Sequence, residues 1–207
     1  MDGVIAMRKL VYYVAVSLDG RIAGPGGEFD FYPAGDEQQA AAYSAWCNAR
    51  YPEFVPTAMR AALGLADTPN RRFDTVLMGL GSYRPALDAG ITSPYAHLRQ
   101  YVVSSTLAPD TDPTVTVVSA DPLALVRDLK DEVGDDGPER DIWLCGGGRL
   151  AGALLPEIDE LIIKSYPVVA GAGIPVFDGD FDPTVFDVTD RDSFDNGVTV
   201  THFTRRR

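Results

Sequence analysis

Cysteine and histidine are scarce in this chain, two of each in 207 residues. Cys47 and Cys145 cannot build a disulfide framework, and neither stands in metal-ligand spacing. His97 and His202 have no acidic or thiol companion motif, which argues against a structural zinc site and against the His/Cys/Cys set of a zinc deaminase. Basic residues are also few. With 18 Lys and Arg against 30 Asp and Glu, the net charge of −12 argues against nucleic acid as a partner. The one locally basic stretch, Arg205-Arg206-Arg207, reads as a solvated tail. Long hydrophobic runs are missing too: Val11 to Val16 is strand-length and too short to span a bilayer. Met1 to Lys9 has no apolar signal-peptide core, so the expected setting is the cytoplasm, away from the membrane.

What is present is enough apolar material, 45% of the residues, to bury one full core. Leu10 to Ser17 reads as a central strand buried on both faces. Further strands are expected at Thr75–Met78, Tyr101–Ser104, Thr114–Val118, Ile142–Cys145 and Leu161–Ser165. The last two, Val185–Thr189 and Val198–Thr204, are joined by an Asn196-Gly197 turn. Asp36 and Gln39 form a capping-box pattern that opens a helix, and Thr57 to Leu65 is a second helical patch. Asp121 caps another helix, with Pro122 at its first position, Gly134 past its end, and Leu123, Val126, Leu129 and Val133 on one face. The order predicts one α/β domain over residues 1–207: a mostly parallel central sheet with antiparallel C-terminal strands, flanked by helices, with a helical insertion at about 35–72.

The most informative stretch is Ile142-Trp143-Leu144-Cys145 running into Gly146-Gly147-Gly148 and then Arg149-Leu150. A strand, a glycine turn and a helix start make a plausible cradle for a phosphate, because bare backbone lets a ligand lie against the main chain. A tight strand-to-helix connection with no ligand is the other reading. Arg149 either binds a phosphate or pairs with a surface carboxylate. Cys145, Trp46 and Trp143 read as core residues.

Five segments in order carry a family resemblance. They are Val14-Ala15-Val16-Ser17-Leu18-Asp19-Gly20-Arg21-Ile22-Ala23, Asp74 to Gly79, Tyr101 to Ser105, the triple glycine, and Ile158 to Leu161 with Pro167 to Phe177. Together they resemble the dihydrofolate reductase-like family, in the branch of the riboflavin-synthesis reductase (RibD C-terminal domain), as a stand-alone member. The resemblance implies an oxidoreductase that passes hydride from NADPH to a C=N or C=O group of a small heterocyclic or sugar-derived substrate. It also implies a homodimer and a cis Gly146–Gly147 peptide. Gly146, Gly147, Gly148, Arg149 and Leu150 would hold the pyrophosphate and nicotinamide side. Ser104 and Ser105 would lie near the adenosine ribose, and Ala15, Ile22 and Ala23 would face the carboxamide.

The family's Gly-Arg-x-Thr-Tyr is here Gly79-Leu80-Gly81-Ser82-Tyr83. Ser82 can replace the threonine hydroxyl, but Leu80 cannot grip a 2′-phosphate. Either Arg84 substitutes, or NADH or a flavin is preferred, or cofactor binding has decayed. Tyr83 packs against cofactor or sheet. Asp19 is the candidate for substrate anchoring or proton handling, with a plain turn aspartate as the alternative. Asp30, between Phe29 and Phe31, is placed at the substrate end or in a simple loop. No metal site is expected. The rival readings are a non-catalytic dinucleotide-binding protein on the same fold and a true dihydrofolate reductase.

Overall fold

The computed structural model describes residues 7–132 and 140–206. The chain runs β1 (Leu10–Val16), β2 (Arg21–Ala23), α1 (Glu37–Arg50), α2 (Thr57–Arg60), β3 (Phe73–Gly79), α3 (Leu80–Asp88), β4 (Arg99–Val103) and β5 (Val115–Val118). It continues through α4 (Pro122–Asp131), β6 (Asp141–Gly146), α5 (Gly148–Leu154), β7 (Ile158–Ser165), β8 (Ile174–Pro175), β9 (Phe186–Ser193) and β10 (Thr199–Arg205). Eight strands form one sheet in the order β5-β4-β3-β6-β1-β7-β10-β9, and β2 pairs with β8 apart from it. The pairs from β5 to β7 are parallel, while β10 runs antiparallel to both β7 and β9. This is the mostly parallel sheet with antiparallel C-terminal strands that the sequence predicts.

Strand alternation splits the core. Leu10, Tyr12, Val14 and Val16 face α4 and α5 through Val126, Leu129, Ala151 and Leu154. Val11 and Tyr13 face the other way, toward Tyr51, Phe73, Trp143 and the half-buried Tyr43 and Trp46 of α1. The Asp36 capping box forms as expected, and the Asp121 side chain caps α4. Val133 and Gly134 lie outside the described residues. No helix among the described residues is long and apolar enough to cross a membrane.

Four local expectations change. Helix α3 is absent from the sequence reading because Gly81 and Pro85 signal a break, yet its buried Tyr83 packs it onto the sheet. Strand β9 runs four residues beyond Thr189, because a solvent-facing edge strand needs no apolar alternation. From Ala61 to Arg72 the chain goes by turns and coil rather than helix, so the helical patch stops at α2. Arg205 is no solvated tail: its guanidinium donates to the carbonyls of Leu155 and Ile158 and lies over the Phe186 ring, while Arg206 pairs with Asp187.

The segment before β3 is tied down by Glu53, which is fully buried in a short 3-10 turn, Pro52–Phe54. One of its carboxylate oxygens accepts the amides of Arg71, Arg72 and Phe73. His97 reinforces the join through the Glu53 carbonyl at 2.9 Å. Removing an acceptor for buried amides costs their desolvation as well as the bonds, so Glu53→Ala should destabilise the fold by about 3 kcal/mol. Glu53→Gln, which keeps one acceptor oxygen, should cost less than half of that in chemical denaturation.

Candidate active site

In an open parallel sheet, ligands sit at the carboxyl ends of the strands. Here the ends of β1, β3, β4 and β6 reach one edge, and β3 and β6 approach each other closely there. A Cβ on Gly79 would lie 3.3 Å from the Gly146 carbonyl oxygen and 3.4 Å from the Gly147 nitrogen. The Gly146–Gly147 peptide is cis, as the resemblance implies, and Gly146 has φ +120°, a conformation side chains rarely adopt.

The three glycines have separate tasks. A Cβ on Gly147 would make ordinary contacts with Ile22 and Ser82, 3.7 Å from the Ile22 Cδ1 and 3.9 Å from the Ser82 Oγ. A Cβ on Gly148 would overlap the Pro175 carbonyl, so that glycine is required by packing against β8. Gly146, Gly147, Gly79, Ile22 and Ser82 therefore come together at one point of the strand ends.

The other expected residues divide. Arg84 and Arg149 are exposed and make no ion pair among the described residues, which leaves both free to meet an anion. Ser105 is exposed at the end of β4, whereas Ser104 is buried and its Oγ accepts the amides of Thr106 and Leu107, closing a turn. Tyr83 is corrected to a core residue: it is wholly buried and its hydroxyl donates to the Thr92 carbonyl. The Leu150 side chain belongs to the core beneath α5, so it offers a ligand no side-chain contact. Ala23 is taken up in pairing with Ile174 of β8. The Ala15 carbonyl accepts the Tyr32 hydroxyl, which also reaches the Arg21 carbonyl.

Asp19 is a clamp. One carboxylate oxygen accepts Ser17 Oγ at 2.6 Å and the Ala170 amide at 2.9 Å, and the other accepts the Gly171 amide at 2.8 Å. These donors, the Ser17 hydroxyl first, hold its pKa down at about 2. A carboxylate so placed is ionised at neutral pH, and the bonds it accepts all come from the chain itself, as in a clamp. Asp30 is exposed beside Phe31, whose ring packs on Tyr32 at 4.4 Å, and it makes no hydrogen bond or ion pair among the described residues.

The sequence reading overlooks the α1 face of the same edge. The Tyr32 ring packs at a tilt against Tyr166, 4.6 Å between centres, the Tyr166 hydroxyl meets Tyr43 at 3.4 Å, and Lys164 Nζ lies 4.1 Å from the Tyr13 ring centre. Nothing in Leu161 to Ser165 separates Lys164 from an ordinary strand residue; only the register of Lys164 against Ala15 of β1 brings it to this edge. His202 also gains neighbours invisible in sequence, Asp190 and Asp192 across the hairpin, with candidate ligand atoms within 4.8 Å. Arg50 already answers Asp190 at 3.0 Å.

Several known proteins share this fold. Among solved structures, a Shewanella sp. PV-4 protein described as belonging to riboflavin biosynthesis matches with TM-score 0.65 at 22% identity, over 96% of this chain and 99% of its own. The Thermotoga maritima diaminohydroxyphosphoribosylaminopyrimidine deaminase/5-amino-6-(5-phosphoribosylamino)uracil reductase matches with TM-score 0.59 at 15% identity. That match takes 97% of this chain but only 57% of the Thermotoga protein. These matches show the fold, a dihydrofolate reductase-like α/β sheet. The RibD C-terminal domain profile matches residues 8–200, and the chain belongs to that family. The uncharacterized Bacillus subtilis protein YwjB is 31% identical over 172 residues, 82% of this chain and 83% of YwjB. YyaP of the same bacterium is 28% identical over 189 residues, 86% of this chain and 84% of YyaP.

The clamp role of Asp19 has a pH signature. A carboxylate with lowered pKa contributes its bonds above the unfolded value, near 3.8, and loses them as pH falls through about 2. The Ala170 and Gly171 amides should stay protected from hydrogen exchange at pH 5 and open toward pH 2. In Asp19→Ala they should exchange freely at every pH.

Proposed function

We propose that the chain is an NAD(P)H-dependent reductase acting on a C=N or C=O group of a small heterocyclic or sugar-derived molecule, of the 5-amino-6-(5-phosphoribosylamino)uracil reductase type. The observation that carries this reading is the meeting of backbones without side chains at the strand ends, where Gly79 lies against the Gly146–Gly147 peptide and Gly147 lies beside Ile22 and Ser82. A flat ring and its phosphates need close approach to main chain, and a Cβ at Gly147 would stand in the way of that approach.

The residues fit such a cofactor. Ile22 offers an apolar side to a planar ring, Ser82 a hydroxyl donor, and Gly147 close access to the main chain. Arg149 and Arg84 supply the local positive charge that an acidic protein needs to hold an anionic dinucleotide. When bound, NAD(P)H supplies the hydride, and the protein's part is orientation and exclusion of water. Asp19 acts as a positioning residue, holding the 168–171 loop against the end of β1 through Ala170 and Gly171.

Gly147 has φ −89°, a backbone any residue can adopt, and its Cβ would meet only ordinary contacts. Gly147→Ala should therefore melt like the wild type yet bind NADPH at least tenfold more weakly in a nicotinamide fluorescence titration. Unchanged binding by the folded variant removes this site assignment.

Leu80 affects cofactor choice. A charge-assisted bond to a 2′-phosphate is worth roughly 1.5–3 kcal/mol, about ten- to a hundredfold in affinity. Without it, NADPH and NADH should bind within about tenfold of each other. A strong preference for NADPH that disappears in Arg84→Ala would assign the missing contact to Arg84. We also expect a twofold-symmetric homodimer, the commonest closed assembly. Light scattering at the chain mass of 22.3 kDa would reject it.

A further inference from the structure

The outer hairpin gathers three metal-binding side chains that the reductase reading does not use. Asp190 of β9 stands opposite His202 of β10, and Asp192 stands opposite Val200. Residues two apart share one face of a strand, so both carboxylates and the imidazole lie on the same side of the hairpin. One ligand atom from each of Asp190, Asp192 and His202 lies within 4.8 Å of the others. In sequence the three stand apart without ligand spacing, and only the hairpin register collects them.

Their settings point to a cation. His202 is only 8% exposed, and its ring lies 6.3 Å from that of Tyr51. Its Nε2 meets the Tyr51 hydroxyl at 3.4 Å, while Nδ1 has no hydrogen-bond partner among the described residues. One carboxylate oxygen of Asp192, Oδ2, is buried and has no hydrogen-bond partner among them either. A buried carboxylate oxygen without a donor is costly, because nothing replaces the water it has given up. Asp190 is the exposed member. Its Oδ1 accepts the Arg191 amide at 2.9 Å, and its Oδ2 meets Arg50 at 3.0 Å.

Arg50 does not complete this group. It pairs with Asp190, both side chains are exposed, and such a pair is weak and easily exchanged. Its guanidinium also lies over the Trp46 ring, at 5.3 Å, where it can rest without Asp190. Arg72 bears on His202 too, but its charge is taken up by Asp141 and Glu160.

We propose that Asp190, Asp192 and His202 form a binding site for a divalent transition-metal ion of the zinc type, with water completing the coordination. One imidazole and two carboxylates suit zinc and its neighbours better than calcium or magnesium, which favour oxygen ligands alone. Zinc holds such ligands at about 2.0–2.2 Å in a tetrahedron, which sets them about 3.4 Å apart. Closing to that separation from within 4.8 Å takes rotation of side chains, not movement of strands. The Tyr51 oxygen can then accept from Nε2–H and orient the ring, as outer partners of metal-bound imidazoles do. The ion ties the edge strand β9 to β10 beside the register shift between His202 and Phe203. This site stands independently of the reductase reading.

Zinc chloride titrated into the intact, chelator-washed protein tests the site, read by calorimetry and by melting temperature. Wild type should bind one zinc per chain and melt at a higher temperature with zinc than without it. Magnesium in about hundredfold excess should not displace the zinc. Asp190→Asn and Asp192→Asn keep side-chain shape and should each weaken zinc at least about tenfold. Arg50→Gln removes the competing cation and should tighten it. The chain has two histidines, so in proton NMR zinc should shift the His202 ring signals and leave those of His97 in place. Circular dichroism confirms that the variants fold. Failure of wild type to bind zinc, binding unchanged in both aspartate variants, or a shift of His97 alone overturns the proposal.

Discussion

The close approach of β3 and β6 at their carboxyl ends governs the rest of the site. Gly79 lies against the Gly146–Gly147 peptide with no room for any larger residue to sit unmoved. Because both strands end at this contact, α3 departs from Leu80 and α5 from Gly148 at nearly the same point. The two helices leave on opposite sides of the sheet core, one carrying Tyr83 and the other Leu150, Ala151 and Leu154. Main chain without side chains is thereby brought to one point of the strand ends. Close packing of backbones, rather than any reactive side chain, therefore defines the proposed site.

Charge is distributed along the strands in a way that serves that edge. At the amino ends, the acidic chain pairs its cations thoroughly. Arg8, with a side chain only 2% exposed, meets Asp74 and Glu132, and Arg72 meets Asp141 and Glu160. Lys9 and Lys130 join the same region through Glu160, Glu157 and Asp159. Pairs this buried do little for net stability, but losing one partner would strand a charge, so they fix strand register firmly. At the carboxyl ends the pattern reverses, and Arg84, Arg149 and Lys164 have no carboxylate partner among the described residues. An overall charge of −12 would repel an anionic dinucleotide, and local cations of this kind offset that repulsion.

Much of this was legible in the residues. The buried strands, the capping box, the hairpin turn and the glycine loop each rest on local chemistry that a sequence displays directly. The failures share a cause, which is dependence on neighbours far away in the chain. Gly81 and Pro85 disfavour a helix locally, but burial of Tyr83 against the sheet overrides them. Ser82 and Tyr83 are adjacent in sequence, yet the helix turns one toward Gly146 and Gly147 and the other into the core. Asp19 looks like a free carboxylate until the loop some 150 residues later supplies two amides to it. Lys164 acquires its setting only through register with β1 and β10.

The segment between β2 and β3 then gains a role that its composition does not suggest. Helix α1 buries none of its residues completely, so it adds little to the core in the way a packed helix would. What it contributes is cover: Tyr43 reaches Tyr166, and Cys47 approaches the Tyr13 hydroxyl at 4.0 Å, over the face where Lys164 sits. Glu53 and His97 hold the following turn against β3 and the segment before β4, which fixes that cover in place. Withdrawing an ammonium from water lowers its pKa, and burial does so for Lys164. A thin, tethered helix over one strand end can therefore alter the setting of a strand residue without supplying a charged group of its own to it.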